Sequence, residues 1–377
     1  MLAASPSMPD ETRLPPMLAA CGAEGYEDDY GPQARFGTTD AAAGTPASLE
    51  RLAAGAVAPL SDHGLLAVHG EDATRFLHSQ TTNDIEHQPP AQARWHGYCT
   101  PKGRLLATLL VWRDGSEYRA ILSRPLAEAV RKRLAMFVLR AKVRLEDRSD
   151  AAVVLGLCGQ HAPAALAALG LPAPAPLEVA HRRVEGGPAG AGATISAIGL
   201  PAVTAGPDAP PLARWLVVMP VESLPGAWAR LLEHLRPVDS AAWRWTDVRS
   251  GIPRVVPATV EQFVPQMIDF DTVGGVSFDK GCYPGQEIVA RAHYLGKVKR
   301  RLFLGHAAGA PPAPGAEVRA GSGEPVGKVV LAAPAPGGGT DFLFEAQAAG
   351  AQAAADLRTG DRPILLQPLP YASERAP

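Results

Sequence analysis

From Lys297 onward the chain stops offering helices. Its last stretch holds the short runs RRLFLGH, AEVRA, PVGKVVLAAP, DFLFEA and ILLQPL, cut apart by glycine and proline. Short β-rich runs with such punctuation predict a small barrel, and a barrel leaves no place for the helical faces found earlier in the chain. A length of 377 residues is also more than one core usually serves, so two or three lobes are expected. The boundaries drawn from texture are a tail over 1–48, a first lobe over 49–150, a second lobe over 151–296 and the barrel over 297–377.

Both earlier lobes mix helices and strands. GLLAVHG (Gly64–Gly70) reads as a strand, and EDATRFLHSQTTND places Ala73, Phe76, Leu77 and Gln80 on one helical face. GRLLATLLVWR and YRAILS flank Asp114-Gly115, a dipeptide suited to a hairpin turn. RPLAEAVRKRLAMFVLR has Pro125 at a first-turn position and an apolar face of Leu126, Val130, Leu134 and Phe137. The second lobe has an apolar strand at Val153–Leu157, an Ala-rich helix, the strand RWLVVMPV and a helix through Trp228 and Leu235. Its GGPAGAGATISAIG lacks the third glycine of a dinucleotide fingerprint and reads as a surface loop. The fold class is α+β.

Composition excludes several functions. Net charge is −2, so nothing global favours nucleic acid. No apolar run reaches the ~18–20 residues of a membrane helix, and no membrane partner is expected. Cys21, Cys99, Cys158 and Cys282 form no C-x-x-C pair, and His63, His69, His78, His87 and His293 complete no metal-ligand spacing. Unpaired cysteines fit a reducing compartment. The first 48 residues are acidic and rich in Ala, Gly and Pro, with Arg13 and Arg35 as their cations; they read as a disordered tail with neither transit nor secretion signal.

Within this background KGCYPGQE (Lys280–Glu287) stands out. Gly281 and Gly285 permit backbone angles that a Cβ resists, Pro284-Gly285 marks a turn, and QEIVARA starts a helix with Glu287 in its first turn. A cysteine just ahead of a helix N-terminus and beside Lys280 has its thiolate favoured. Lys280, Arg291, Lys297, Lys299, Arg300 and Arg301 face one acid, Glu287, a patch suited to an anion. A buried structural thiol in a tight turn is the competing account, and the same account is the default for the other three cysteines. Trp243 and Trp245, two apart on a predicted helix, face different ways; one suits packing and the other an aromatic ligand.

The stretch GIPRVVPATVEQFVPQMIDFDTVGGVSFDKGCYPGQEIVARAHYLGKVKRRL resembles the signature region of the YgfZ family, as do FLHSQTTND, YCTPKGRLLATLLVW and the terminal LQPLPYAS. That family comprises folate-binding relatives of the glycine-cleavage T-protein that support iron–sulfur proteins, and the resemblance runs from about His63 to Ala372. It implies a three-lobed T-protein-like fold whose central channel holds tetrahydrofolate or another reduced folate, with the barrel as third lobe. It makes Cys282, supported by Lys280, the required thiol facing that channel, and Trp243 a folate contact, with Tyr283, Gln286 and Arg249 as further candidates. His63 stands where a second folate-contacting tryptophan is expected. Implied partners are iron–sulfur clients such as radical tRNA methylthiolases, without direct RNA binding, in a bacterial cytoplasm. For the thiol, transient contact with an iron–sulfur cluster and exchange with a persulfide or oxidised thiol both stay open.

T-protein aminomethyltransferases carry paired aspartates where this chain has Ala107 and Thr108, and a glutamate where it has Arg249. Methylene transfer needs a positioned carboxylate, so that activity is disfavoured unless Asp84 or Asp247 substitutes. A folate-binding interaction module with a merely structural Cys282 is the third reading.

Overall fold

The computed structural model describes residues 17–36, 47–184, 193–205, 209–294, 299–347 and 356–371. Lys297 and Ala372 lie outside them.

The first sheet is antiparallel, in the order Arg94–Cys99, Leu105–Asp114, Glu117–Ser123, His63–His69 and Arg144–Asp147. Its central hairpin turns at Asp114-Gly115, where Gly115 takes φ +61°, the left-handed value such turns need. The helix Ala73–Gln80 buries Ala73, Phe76 and Leu77, and the helix Arg124–Ala135 buries Leu126, Ala127, Val130 and Leu134. Phe137 departs from that second face: the helix ends first, and the ring is left exposed.

The second sheet runs Val179–Val184, Ala193–Val203, Leu212–Pro220, Ala152–Cys158, Ala56–Pro59 and Arg236–Pro237. Alternation along its strands splits it cleanly. Val154, Ile198, Leu216 and Val218 join the first lobe's core, while Val153, Leu155, Ala197, Val217 and Met219 pack under the helices Ala162–Ala168 and Leu224–Leu232. Two expectations are corrected here. Ala56–Pro59 belongs to this sheet, not to the first lobe, because it pairs with Ala152–Cys158. The segment read as a surface loop supplies at Ala193–Val203 a strand paired on both sides, since the small residues of ATISAIG still alternate faces; its glycine-rich beginning lies outside the described residues.

The third sheet has seven strands, ordered Arg362–Pro363, Leu357–Thr359, Glu317–Ala320, Pro325–Pro334, Thr340–Gln347, Arg300–Ala307 and Leu365–Gln367. Its first and last strands are separated in the chain by Ile364 alone, so the sheet curls into a nearly closed barrel.

At the junction of all three sheets stands the helix Ser240–Ser250, in which Trp243, Arg244, Trp245, Thr246, Val248 and Arg249 are all buried. A helix buried on every face is a core element. Gly251 ends it in the left-handed conformation at φ +69°.

The expected disordered tail is also corrected. Met17–Ala20 is a helical turn, and Glu24–Asp28 pairs with Gly31–Arg35 in a hairpin. What composition hid is that these acids and aromatics have buried partners. Asp28 accepts from Arg244 at 2.7 Å, Arg244 lies 3.9 Å over the Tyr30 ring, and the Tyr30 hydroxyl accepts from the Ala332 N–H at 2.8 Å. Ala34 N–H donates to Ser240 Oγ at 2.9 Å, and Phe36 stacks on Trp228. Tyr30→Phe leaves the Ala332 N–H buried without an acceptor and is expected to cost about 1–3 kcal/mol, measured as a lower urea midpoint.

Candidate functional site

The first sheet, the second sheet and the Trp helix leave a cavity where they meet. Trp95 and Thr108 line it from the first sheet, Arg214 from the second, Trp243 and Asp247 from the helix, and His63 and Arg254 close one side. The unfilled space is about 530 Å³, counting the part open to solvent. The enclosed part of that space is about 50 Å³, small beside the sites that hold whole drug-sized ligands.

Local sequence explains how each side chain is held. Gly156 lets the Trp243 ring lie against the strand Ala152–Cys158, since a Cβ there would occupy the indole's position. Trp243 is 2 % exposed, and its Nε1 has no hydrogen-bond partner among the described residues. Arg214 is fully buried, its guanidinium 5.5 Å from the Trp243 ring, with Nη1 donating to Asp247 at 2.9 Å and Thr246 at 2.8 Å. Burial lowers the Arg214 pKa and Asp247 works against that fall. Arg214 Nη2 and Arg254 Nε likewise lack partners. At the other side, Asp62 accepts from His63 Nδ1 at 2.8 Å and from Arg254 at 2.6 Å. Burial alone would lift the Asp62 carboxyl, but Arg254 and then His63 hold it well below the usual carboxylate range. Thr108 Oγ1 accepts from the Val255 N–H at 3.1 Å, and Ala107 is fully buried. The strand that carries both brings no carboxylate to the cavity.

The lining matches the ring of a reduced folate in chemistry, while the enclosed space of about 50 Å³ is smaller than the whole molecule. The walls offer indole faces and several buried donors that want acceptors, which matches a flat ring with acceptor atoms on its rim.

Of the sequence candidates, Trp243 and His63 come together in this cavity, and Asp247 joins them. Arg249 does not. It donates to the Thr204 carbonyl at 3.1 Å and to Gln367 and lies 3.8 Å from Asp341, which commits it to the barrel. Trp245 likewise donates to Asp341, at 2.8 Å. Lys280, Cys282, Tyr283 and Gln286 form a separate loop feature, and Cys282, expected to face the channel, is not among the residues lining the cavity. The residues missed were Arg214, Arg254 and Asp62. Arg214 carried a signal, a lone cation inside an apolar strand-sized run.

The motif loop is built as a bracket. Lys280 and Tyr283 point inward and are buried, whereas Cys282 is exposed. Lys280 Nζ donates to the carbonyls of His78 and of Thr81 (2.6 Å), the open end of the helix Ala73–Gln80, where a cation satisfies both acceptors and dipole. It also lies 5.0 Å from the Tyr283 ring centre. Burial pushes the ammonium down to about 8, with Asp84 opposing. Lys280 is thus a tether between the motif loop and the helix Ala73–Gln80, and its ammonium also interacts with the charge of Cys282. Gln286 donates to the Lys280 carbonyl at 3.4 Å, and the helix Gln286–Tyr294 carries Glu287 in its first turn. The basic patch is partly neutralised: Arg300 pairs with Glu345 at 2.5 Å, and Arg301 lies 3.5 Å from Asp269.

No family model matches the chain. It is 31% identical over 324 residues to the tRNA-modifying protein YgfZ of Yersinia enterocolitica, covering 83% of this chain and 91% of that protein. The Edwardsiella ictaluri protein of the same name is 31% identical over 326 residues, 84% and 92% of the two chains. The chain belongs to the YgfZ family. Its fold is similar to that of the glycine cleavage system aminomethyltransferase T from Bartonella henselae, with TM-score 0.72, 15% identity, and 95% and 96% of the two chains covered. The YgfZ-family stretches YCTPKG and KGCYPGQE are packed on each other, with Gly103 and Gly285 at the contact.

Two predictions test the loop and its support. Gly285 has φ +84°, and a Cβ there would collide with the Thr100 carbonyl and come within 2.7 Å of Gly103. Gly285→Ala is expected to cost about 1–3 kcal/mol in a urea unfolding series. Gly281→Ala, whose Cβ meets nothing closer than His78 at 3.4 Å, should be near neutral. Behind Thr81, His96 is fully buried between the Thr81 hydroxyl (3.0 Å) and Gln88 (3.3 Å), and burial, then the charges on Lys280 and Arg94, push it down to about 3. Between the ordinary value of 6.5 and about 3 the unfolded chain binds this proton and the folded chain does not. His96 therefore supports stability fully above pH ~6.5, and that support is lost as pH falls towards 3, by up to about 1.4 kcal/mol per pH unit. His96→Gln should flatten that slope in urea midpoints taken across the window.

Proposed function

We propose that this YgfZ-family chain is a folate-binding accessory factor for assembly or repair of iron–sulfur proteins, which supports tRNA methylthiolation indirectly, with Cys282 as its key thiol. One observation carries the reading: the aromatic cavity and the exposed cysteine are separate features. The cavity presents Trp243 and unpaired donors but no carboxylate at Ala107 or Thr108, while Cys282 stands outside it, open to a macromolecule. That division suits a factor that binds a small cofactor and acts on another protein. A reduced folate would be held by Trp243, Arg214 and His63, and would supply a one-carbon-carrying or redox-active pterin. Trp243 presents a flat face, Arg214 a buried donor, and the Asp62–Arg254 pair fixes the His63 ring.

The aminomethyltransferase reading needs a free base at the cavity. Asp247 is there but bound to Arg214, and Asp84 lies elsewhere, holding His87 at 2.7 Å. In the accessory reading the clients are iron–sulfur enzymes such as radical tRNA methylthiolases, in a bacterial cytoplasm. The relatives' shared name, tRNA-modifying protein, accords with such an indirect effect.

The test combines a binding assay with a genetic one. Tetrahydrofolate is expected to bind the purified protein, and Trp243→Leu to weaken it about tenfold or more, roughly the contribution of an aromatic contact. In a strain lacking its own YgfZ protein, wild type should restore tRNA methylthiolation, and Cys282→Ala at equal protein level should not. Equal rescue by both would remove Cys282 from the mechanism. Methylene transfer from an aminomethyl donor to tetrahydrofolate by the purified protein would replace this reading with the transferase.

A further inference from the structure

The helix Arg124–Ala135 ends by exposing what its own pattern should bury. Beyond its last buried residue, Leu134, the side chains of Met136, Phe137 and Leu139 are 62%, 44% and 88% exposed. They share one tight turn, closed by Phe137 N–H to Leu134 O at 3.0 Å and Ala141 N–H to Val138 O at 2.7 Å. Leu139 sits at φ +46°, a left-handed value that residues with a Cβ seldom adopt. An aliphatic side chain is thus presented to solvent by a backbone conformation that is itself unfavourable.

The charge around this turn is one-sided. From Ala129 to Leu145 the sequence carries Arg131, Lys132, Arg133, Arg140, Lys142 and Arg144 and no acid, in a chain of net charge −2. Glu128 reaches back to Arg131 and Lys132, and Glu71 to Lys142. Arg140 and Arg144 are exposed, and no ion pair holds either among the described residues. The cations lie on both sides of the apolar tip, before it on the helix and after it on the way to the edge strand Arg144–Asp147.

We propose that the Met136–Leu139 turn is a peripheral docking site for an anionic lipid surface. Its apolar tip enters the boundary between headgroups and acyl chains, and the flanking cations meet the lipid phosphates. A protruding apolar turn ringed by cations matches both layers of such a surface. The other occupants fit less well. RNA would use the cations and the Phe137 ring, but it gives Met136 and Leu139, the two most exposed of the three side chains, nothing apolar to enter. A second copy of this chain would bring one cationic ring against another. The contact is one of lying on a membrane, and among the described residues no helix is long and apolar enough to cross one. This inference stands independently of the folate and thiol reading.

The experiment is co-sedimentation of the full-length protein with vesicles of phosphatidylcholine alone and of phosphatidylcholine mixed with phosphatidylglycerol. Binding is expected to the mixed vesicles, to weaken at high salt, and to be much lower with phosphatidylcholine alone. The triple variant M136S/F137S/L139S is expected to reduce the bound fraction about tenfold or more, because its apolar tip is gone. R140E/R144E should reduce it comparably while leaving the urea midpoint unchanged, which separates loss of docking from loss of fold. Cys282→Ala should bind as wild type does. No binding to the mixed vesicles, or binding that both turn variants leave intact, overturns the proposal.

Discussion

Three cations are buried around one helix, and the architecture follows from the need to neutralise them. Arg244 on the helix finds Asp28 of the N-terminal hairpin, Arg249 finds Asp341 of the barrel, and Asp247 receives Arg214 from the second sheet. An unpaired buried charge costs several kcal/mol, and removing one partner of such a pair typically costs 3–5 kcal/mol. Each pair therefore obliges a different part of the chain to dock at the same place. The hydrophobic contacts between lobes supply the bulk of the burial, but these pairs specify which element sits where. The cavity is a by-product of the same arrangement, since Arg214 and Asp247 stand in its wall.

The aromatic cavity and the exposed cysteine are separate features. At the cavity wall Thr108 spends its hydroxyl on the Val255 N–H. In the motif loop Lys280 and Tyr283 act as anchors, Gly285 lets the loop lie flush on the YCTPKG turn, and Cys282 is among the residues left in solvent.

Much of this was legible in the sequence where period and punctuation were strong. The short barrel runs, the Asp114-Gly115 hairpin and the helix after Pro284-Gly285 follow local rules that tertiary packing left intact. The two-residue spacing of Trp243 and Trp245 likewise placed the indoles on different faces, one in the cavity wall and one against Asp341. What was hidden depended on distant partners. The hairpin acids look like a solvated tail until Arg244 is brought beside them, and ATISAIG looks like a loop until strands flank it on both sides. Lys280 was read beside its neighbour in sequence, whereas its ammonium reaches carbonyls about two hundred positions away (|i−j| of 202 and 199). Phe137 failed differently: its spacing suited a core face, but the helix stopped before reaching it.

The N-terminal hairpin has a consequence for how the protein is made. Its Tyr30 hydroxyl bonds to Ala332, 302 positions later, and its Asp28 to Arg244, 216 positions later. On a ribosome the hairpin emerges well before Ala332, the barrel part of its seat, has been synthesised. Closing so long a loop is slow compared with the local pairings of the lobes. The hairpin therefore completes its docking late, and a chain that halts before the barrel leaves Arg249 of the central helix without Asp341.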